Sequence, residues 1–134
     1  MSQDSITFRY LVCAPHLNAH GSLHGGVLLR WIDEAAGMTS RKLTNRVCVT
    51  RWMSAVNFLS KATLGDIVCI KVSLSHAGTT SLRFSVGVTE DISNREIASV
   101  GEIVFVAIDH KGNTVDHGVS LEKGSGSCVS PGEG

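Results

Sequence analysis

From Val27 to about Lys42, apolar residues recur with the period of an α-helix. They cover so much of its surface that the helix cannot rest one stripe on a neighbouring core. At ~100° per residue, Leu28, Trp31, Ile32, Ala35 and Ala36 fall on one side, with Val27, Leu29 and Met38 at its margins. A helix with so wide an apolar arc has to be surrounded by other elements on most sides. Gly25-Gly26 opens this stretch and Thr44-Asn45 ends it.

The rest of the chain supplies the surroundings. Residues 7–12 read as a short first strand, and residues 13–24 as a loop carrying Pro15, Asn18 and Gly21. Past Asn45, residues 47–58, 67–76, 81–89 and 97–108 are rich in β-branched residues and often alternate. Turn signals separate them: Leu64-Gly65-Asp66, Ala77-Gly78-Thr79, Ser93-Asn94-Arg95 and His110-Lys111-Gly112-Asn113. Ser73, Ser75, Arg83 and Ser85 alternate with apolar neighbours, which predicts one wet or interfacial sheet face. One strand, a long helix and four further strands joined by hairpins predict an α+β domain whose antiparallel sheet wraps the helix. Gly26, Asp33 and Gly37 share the helix side opposite the core arc, where small residues beside a carboxylate leave room for another chain or a ligand. We expect one domain over residues 1–113 and a flexible C-terminal tail over residues 114–134, which ends rich in Gly and Ser.

Charge narrows the partners. Twelve basic and twelve acidic residues cancel, leaving no electrostatic footprint for nucleic acid or an anionic membrane. No apolar run approaches the ~20 residues of a membrane span. The first ten residues carry charge and hydroxyls where a signal peptide needs an apolar core, so a cytoplasmic location is expected. Cys13, Cys48, Cys69 and Cys128 form no CxxC pair and read as reduced thiols that pack as small hydrophobes.

Candidate chemistry concentrates in residues 18–26, followed nine residues after His24 by Asp33. Glycines at a helix start leave backbone amides unshielded, and those amides with the helix dipole favour a polarised carbonyl oxygen. Asp33, about two turns into the helix beside its apolar side, is placed to act as a general base on water. Oxyanion donors near a base make an acyl-transfer site. The competing structural reading is that Gly25-Gly26 only permits close packing and Asp33 is a surface aspartate. His16, His20 and His24 would form a metal face on a helix, but Pro15, Asn18, Gly21 and Gly25 oppose a helix there, and no metal site is expected. No Gly-x-Ser-x-Gly elbow appears, and Ser22 has no partnered base.

His24-Gly25-Gly26-Val27-Leu28-Leu29 with Trp31-Ile32-Asp33-Glu34-Ala35-Ala36-Gly37 resembles the hallmark of hotdog-fold acyl-CoA thioesterases. The nearest branch is that of bacterial acyl-CoA thioesterases and mammalian cytosolic acyl-CoA hydrolases. Asn57-Phe58-Leu59-Ser60, Gly65-Asp66 and Gly78-Thr79-Thr80-Ser81 match its later signatures in order and spacing, so the resemblance covers most of the chain. It implies a hotdog fold with a five- or six-stranded antiparallel sheet around the helix. It also implies a homodimer in which two sheets join edge to edge as the minimal unit, often assembled further into a hexamer, a trimer of dimers. The implied substrate is an acyl-CoA, held at the dimer interface without any cofactor.

By the same resemblance Asp33 is the general base or nucleophile. Asn18 positions water or substrate from the facing subunit, and the Gly26 amide polarises the thioester carbonyl. His24, Gly25, Asn57, Ser60, Thr80 and Ser81 are substrate-binding candidates, Thr80 and Ser81 beside the pantetheine path. For Asn57 the alternative is a residue that merely ends a strand, and for His24 a ring that fixes the loop. The chain departs from the branch at Lys61, where proline is usual, and at Trp52-Met53-Ser54, where relatives often carry an Arg-x-Glu pair. Those departures bear on the CoA phosphate contacts. The alternatives are a hotdog enoyl-thioester hydratase, whose histidine–carboxylate pattern is absent around Asp33, and a non-catalytic acyl-CoA-binding protein. For a sensor of that second kind, the few residues before the first strand leave no room for a DNA-binding module.

Overall fold

The computed structural model describes residues 5–120. The elements are β1 (Ser5–Leu11), a 3-10 turn (Ala14–His16), α1 (Gly25–Thr44), β2 (Cys48–Met53), β3 (Val56–Phe58), β4 (Ile67–Ala77), β5 (Ser81–Glu90) and β6 (Glu96–Ala107). The strands form one sheet in the order β1-β4-β5-β6-β2, with β3 also on β6, and every pairing is antiparallel. This is the hotdog arrangement, one long helix held by a curved sheet.

The helix buries the expected arc: Leu28, Trp31, Ile32, Ala35 and Ala36 are all buried. Thr39 and Ser40 extend it by another turn, which the apolar pattern does not show. Their hydroxyls are satisfied inside the helix, Thr39 Oγ1 donating to the Ala35 carbonyl (2.8 Å) and Ser40 Oγ to that of Ala36 (3.0 Å). Buried without an open hydrogen bond, they pack as small apolar residues do. Asn45 closes the helix in the left-handed region (φ 55°), its amide returning to the Arg41 carbonyl at 2.8 Å.

On β4 and β5 every second residue faces the helix. Val68, Ile70, Val72 and Leu74 lie beside Leu82, Phe84, Val86 and Val88, and all are buried. The opposite face is the wet one, with Ser5 and Ser73 hydroxyls at 2.9 Å and an Arg83–Glu102 ion pair at 3.1 Å.

Two expectations need correction. Residues 47–58 are not one strand. The ladder with β6 slips between Thr50 and Trp52, and strand geometry lapses at Ser54-Ala55 before β3 resumes pairing at Val56. An extra residue in a ladder bends the strand, and an edge that must curl around a helix needs such bends. The chain also keeps its structure past Thr114. The Val115 amide bonds the Ala107 carbonyl (2.9 Å) and the His117 amide that of Thr79 (3.1 Å). His117 is buried, its ring bonded through Nε2 to the Ser81 carbonyl and through Nδ1 to the Val119 amide, each at 2.9 Å. Residues 114–119 are thus a strap over the β4–β5 turn. The remainder of the expected tail, residues 121–134, lies outside the described residues.

Candidate active site

Asp33 is half-buried on α1, and its Oδ1 accepts a 2.5 Å hydrogen bond from Thr50 Oγ1. Thr50 stands opposite Phe105 in the β2–β6 ladder, on the face turned to the helix, so the bond ties α1 to an edge strand. The helix side shared by Asp33 and Gly37 therefore does not point straight away from the sheet. It faces an open cleft of about 850 Å³ between α1 and β2, where Met38, Arg41, Val49 and Thr50 are among the lining residues. A carboxylate with one oxygen fixed by a hydroxyl and the other left to a cleft can hold and deprotonate a water molecule.

The second group of residues surrounds the helix start. His24 is the N-cap, and the cap is its ring: Nδ1 accepts the Gly26 amide at 2.9 Å. This corrects the expectation of an unshielded Gly26 amide, because an acceptor two residues back in the chain already occupies it. The bond requires an unprotonated Nδ1, which leaves Nε2 as the donor nitrogen of a neutral ring. A methyl group on Gly26 would come within 3.1 Å of that ring, so the tight cap explains the glycine. The amides of Gly25 and Val27 have no partner among the described residues and remain available to an incoming oxygen. Gly25 lines a smaller cavity of about 240 Å³ with Leu23, Phe58, Ser60 and Lys61.

Asn18 organises the loop before the helix. Its Oδ1 accepts from the His20 amide (2.9 Å), the Ser22 amide (3.1 Å) and the Ser22 hydroxyl (3.2 Å). With the oxygen so used, the side chain can offer a substrate or water only its NH2. Ser60 is drawn into a local network instead: its hydroxyl donates to the Glu96 carbonyl and accepts from Arg95 Nε, while Arg95 also pairs with Asp66 at 3.3 Å. Asn57 is exposed on β3 opposite Ser99. Thr80 and Ser81 lie at the start of β5, with β6 between them and β2, and line neither cavity.

Within one chain Asp33 lines the larger cleft, whereas Asn18 and Gly26 line neither cavity. Among the described residues no group of three His, Cys, Asp or Glu could hold a metal ion. His16 Nδ1 instead accepts the Cys13 amide (2.9 Å), and its ring stands edge-on to Trp31, whose other neighbour is Tyr10, stacked at 4.7 Å. The Tyr10 hydroxyl is buried without a partner. Burial, with the negative charge of Glu34, raises its pKa, so it stays a neutral phenol. No helix among the described residues is long and apolar enough to cross a membrane. Sequence reasoning missed Thr50. Thr50 does sit in an alternating run, but nothing in that run reveals its partner on the helix.

A helix wrapped by an antiparallel sheet, with a hydroxyl-anchored carboxylate in a cleft at the sheet's edge, defines a hotdog protein. Residues 20–96 match the model of the thioesterase superfamily, and the chain belongs to that family. Over 101 residues it is 33% identical to an uncharacterized acyl-CoA thioester hydrolase, YkhA, of Bacillus subtilis, covering 73% of this chain and 59% of that protein. Over 116 residues it is 27% identical to the acyl-CoA thioester hydrolase YciA of Escherichia coli, covering 82% and 88%. The chain thus spans less than two thirds of the first relative and most of the second.

Among solved structures, an acyl-CoA hydrolase from Staphylococcus aureus in complex with butyryl-CoA, CoA and CoA disulfide superposes with a TM-score of 0.75 at 29% identity, over 85% of this chain and 69% of that one. A hexameric acyl-CoA thioesterase gives 0.75 at 28% identity, over 85% and 75%. The Staphylococcus enzyme has also been solved with an asparagine, an aspartate and a threonine each replaced by alanine. Those three positions are separated by 15 and then 17 residues, the separations of Asn18, Asp33 and Thr50 here.

Proposed function

We propose that this chain hydrolyses acyl-CoA thioesters to free acid and CoA, with Asp33 as the reacting carboxylate at a site shared by two subunits. The observation that carries the reading is the Thr50–Asp33 hydrogen bond inside the cleft. Thr50 anchors Oδ1, so Oδ2 takes a proton from water as the water oxygen bonds to the thioester carbon. The tetrahedral oxyanion is met by backbone amides at a helix start, those of Gly25 and Val27 at once and that of Gly26 if the His24 ring turns away. The C–S bond then breaks, CoA leaves as a thiolate, and the proton held by Asp33 returns to it. The alternative route with the same atoms has the carboxylate attack first, expelling the thiolate and forming an anhydride that water opens. Asn18 orients water or carbonyl through its NH2, while Thr80 and Ser81 serve the pantetheine arm.

The shared site is supported by the absence of Asn18 and Gly26 from the Asp33 cleft within one chain and by the character of the β2 edge. Val47, Val49 and Trp52 there are exposed, with Met38 beside the cleft. An unpaired, apolar strand edge is a template for a second copy. A homodimer, or a hexamer of three such dimers, working in the cytoplasm belongs to the same proposal.

The test is release of free thiol from acyl-CoAs of several chain lengths, with mass in solution measured by light scattering. Asp33→Ala and Asp33→Asn abolish release while the oligomer persists. Near-wild-type turnover in either variant refutes the carboxylate's role, and a monomeric active enzyme refutes the shared site.

A further inference from the structure

The smaller cavity, of about 240 Å³, opens beside the helix start, apart from the Asp33 cleft. Leu23, Leu28, Phe58, Ala62 and Ile97 give it apolar walls, and none of the edge residues assigned above to a second copy lines it. Two of its lining side chains are polar. Ser60 is spent locally, donating to the Glu96 carbonyl and accepting from Arg95 Nε at 3.3 Å. Lys61 is exposed and enters no ion pair among the described residues. The acid of that network, Asp66, is already held by Arg95 (3.3 Å) and by the Thr63 amide (2.9 Å). A cation without a counter-ion therefore stands on an otherwise apolar cavity.

We infer that this cavity takes the acyl part of the substrate and that Lys61 selects acyl groups ending in a carboxylate, the mono-CoA thioesters of short dicarboxylic acids. The inference rests on the proposed function, which brings the thioester carbonyl to the amides of Gly25 and Val27. Gly25 also lines the cavity, so a chain leaving a carbonyl held there meets the apolar walls at once. Volume sets the class. At roughly 30 Å³ per non-hydrogen atom, a water molecule's share of the liquid, the cavity holds about eight such atoms. On that scale about three or four methylenes and a carboxylate fit, whereas the nucleotide of CoA, with about thirty atoms, does not. Position 61, which the sequence connects with the CoA phosphates, is thereby assigned to the other end of the substrate.

The two parts of such an acyl group find different partners. Its methylenes leave water against Leu23, Phe58 and Ile97. Its carboxylate keeps a charged partner, as an anion brought to an apolar wall must. An uncharged chain of equal length has the first gain without the second. A purely structural role also exists for Lys61, as a surface lysine whose methylene stem covers the wall while its ammonium stays in water. Such a lysine offers apolar contact to any chain and does not tell a carboxylate from a methyl group.

The deciding experiment is calorimetric titration of two non-hydrolysable thioethers, S-(4-carboxybutyl)-CoA and S-pentyl-CoA, with free CoA as reference. They are titrated into the wild type, Lys61→Met and Lys61→Glu. Both variants keep the backbone carbonyl that accepts from Arg95 Nη2 at 2.8 Å, so the network behind the cavity is retained. The wild type should bind the carboxybutyl ligand about tenfold more tightly than the pentyl one, the effect of one charge-assisted contact at an exposed site. Lys61→Met should lose that preference and Lys61→Glu reverse it, with the affinity for free CoA unchanged in both. Added salt should shrink the preference of the wild type. The inference is overturned if the wild type binds neither thioether or prefers the pentyl one, or if Lys61→Met keeps the preference. It is overturned equally if free CoA loses as much affinity as the carboxybutyl ligand, which would put Lys61 on the phosphates. Because binding is read without turnover, a Lys61-dependent preference in a chain that releases no thiol would sink the hydrolase reading and leave this one standing. Thiol release from acyl-CoAs without any such preference would do the reverse.

Discussion

Thr50→Val isolates the bond on which the candidate site turns. The substitution keeps the shape of a β-branched side chain in an edge strand and removes only the hydroxyl that reaches Asp33 Oδ1 at 2.5 Å. A hydrogen bond to a charged group contributes about 1.5–3 kcal/mol net, and the lower figure applies here because Thr50 is exposed and Asp33 only half-buried. At ~1.4 kcal/mol per factor of ten, turnover should fall about tenfold. A carboxylate free to rotate still lies in the cleft, so substrate binds as before, and the loss should appear in kcat while KM changes little. The assay is steady-state thiol release with a medium-chain acyl-CoA, alongside Thr50→Ser, which restores the hydroxyl and should recover most of the rate. Thermal unfolding of all three proteins should coincide within a few degrees. Turnover by Thr50→Val within twofold of wild type would show that the bond is structural and that the geometry of Asp33 does not depend on it.

Three further outcomes follow from particular contacts. Asn18→Asp keeps the oxygen that accepts from His20 and Ser22 but loses the NH2, so the loop should survive with normal CoA affinity while turnover falls; an equal loss in affinity would make Asn18 a binding residue. Ile32, fully buried between helix and sheet, should cost about 2–5 kcal/mol of unfolding free energy as Ile32→Ala, measured by denaturant titration; less than 1 kcal/mol would mean that the sheet does not clamp the helix as described. Glu90 is buried where β5 turns, and its pKa is lowered from the usual 4.5, chiefly by the Ser93 amide with further bonds from Ser93 Oγ, Ile67 and Ile92, against the opposing effect of burial. A carboxyl with a depressed folded pKa contributes stability that is complete above pH 4.5 and vanishes as pH falls through the lower folded value. Glu90→Gln should therefore be destabilised at neutral pH and approach the wild type in acid, and an unfolding difference that stays constant from pH 7 to pH 3 would contradict this.

How much of this could be read from residues alone depended on the range of the interaction that decides each feature. The α1 core arc was legible because Leu28, Trp31, Ile32, Ala35 and Ala36 obey a local period, and the face alternation of β4 and β5 was legible for the same reason. Thr39 and Ser40 hid in the polar half of that alphabet until their hydroxyls were seen to turn back on the helix. The break in the 47–58 run could not be read, since the slip at Thr50 is a property of its register with β6 and of the curvature demanded by the helix. That same register places Thr50 against Asp33, so the feature that breaks the strand also hides the residue hydrogen-bonded to the candidate carboxylate. His117 is not legible in the sequence, because the bonds that tie it to the sheet reach back to Thr79 and Ser81. Gly26 is different. The ring that takes its amide belongs to His24, two residues away, in the N-cap position where a side-chain acceptor is expected, so the correction was available locally. If the proposed reaction uses that amide, the imidazole must first give it up, so His24 would be a competitor of the thioester oxygen before it could be its ally.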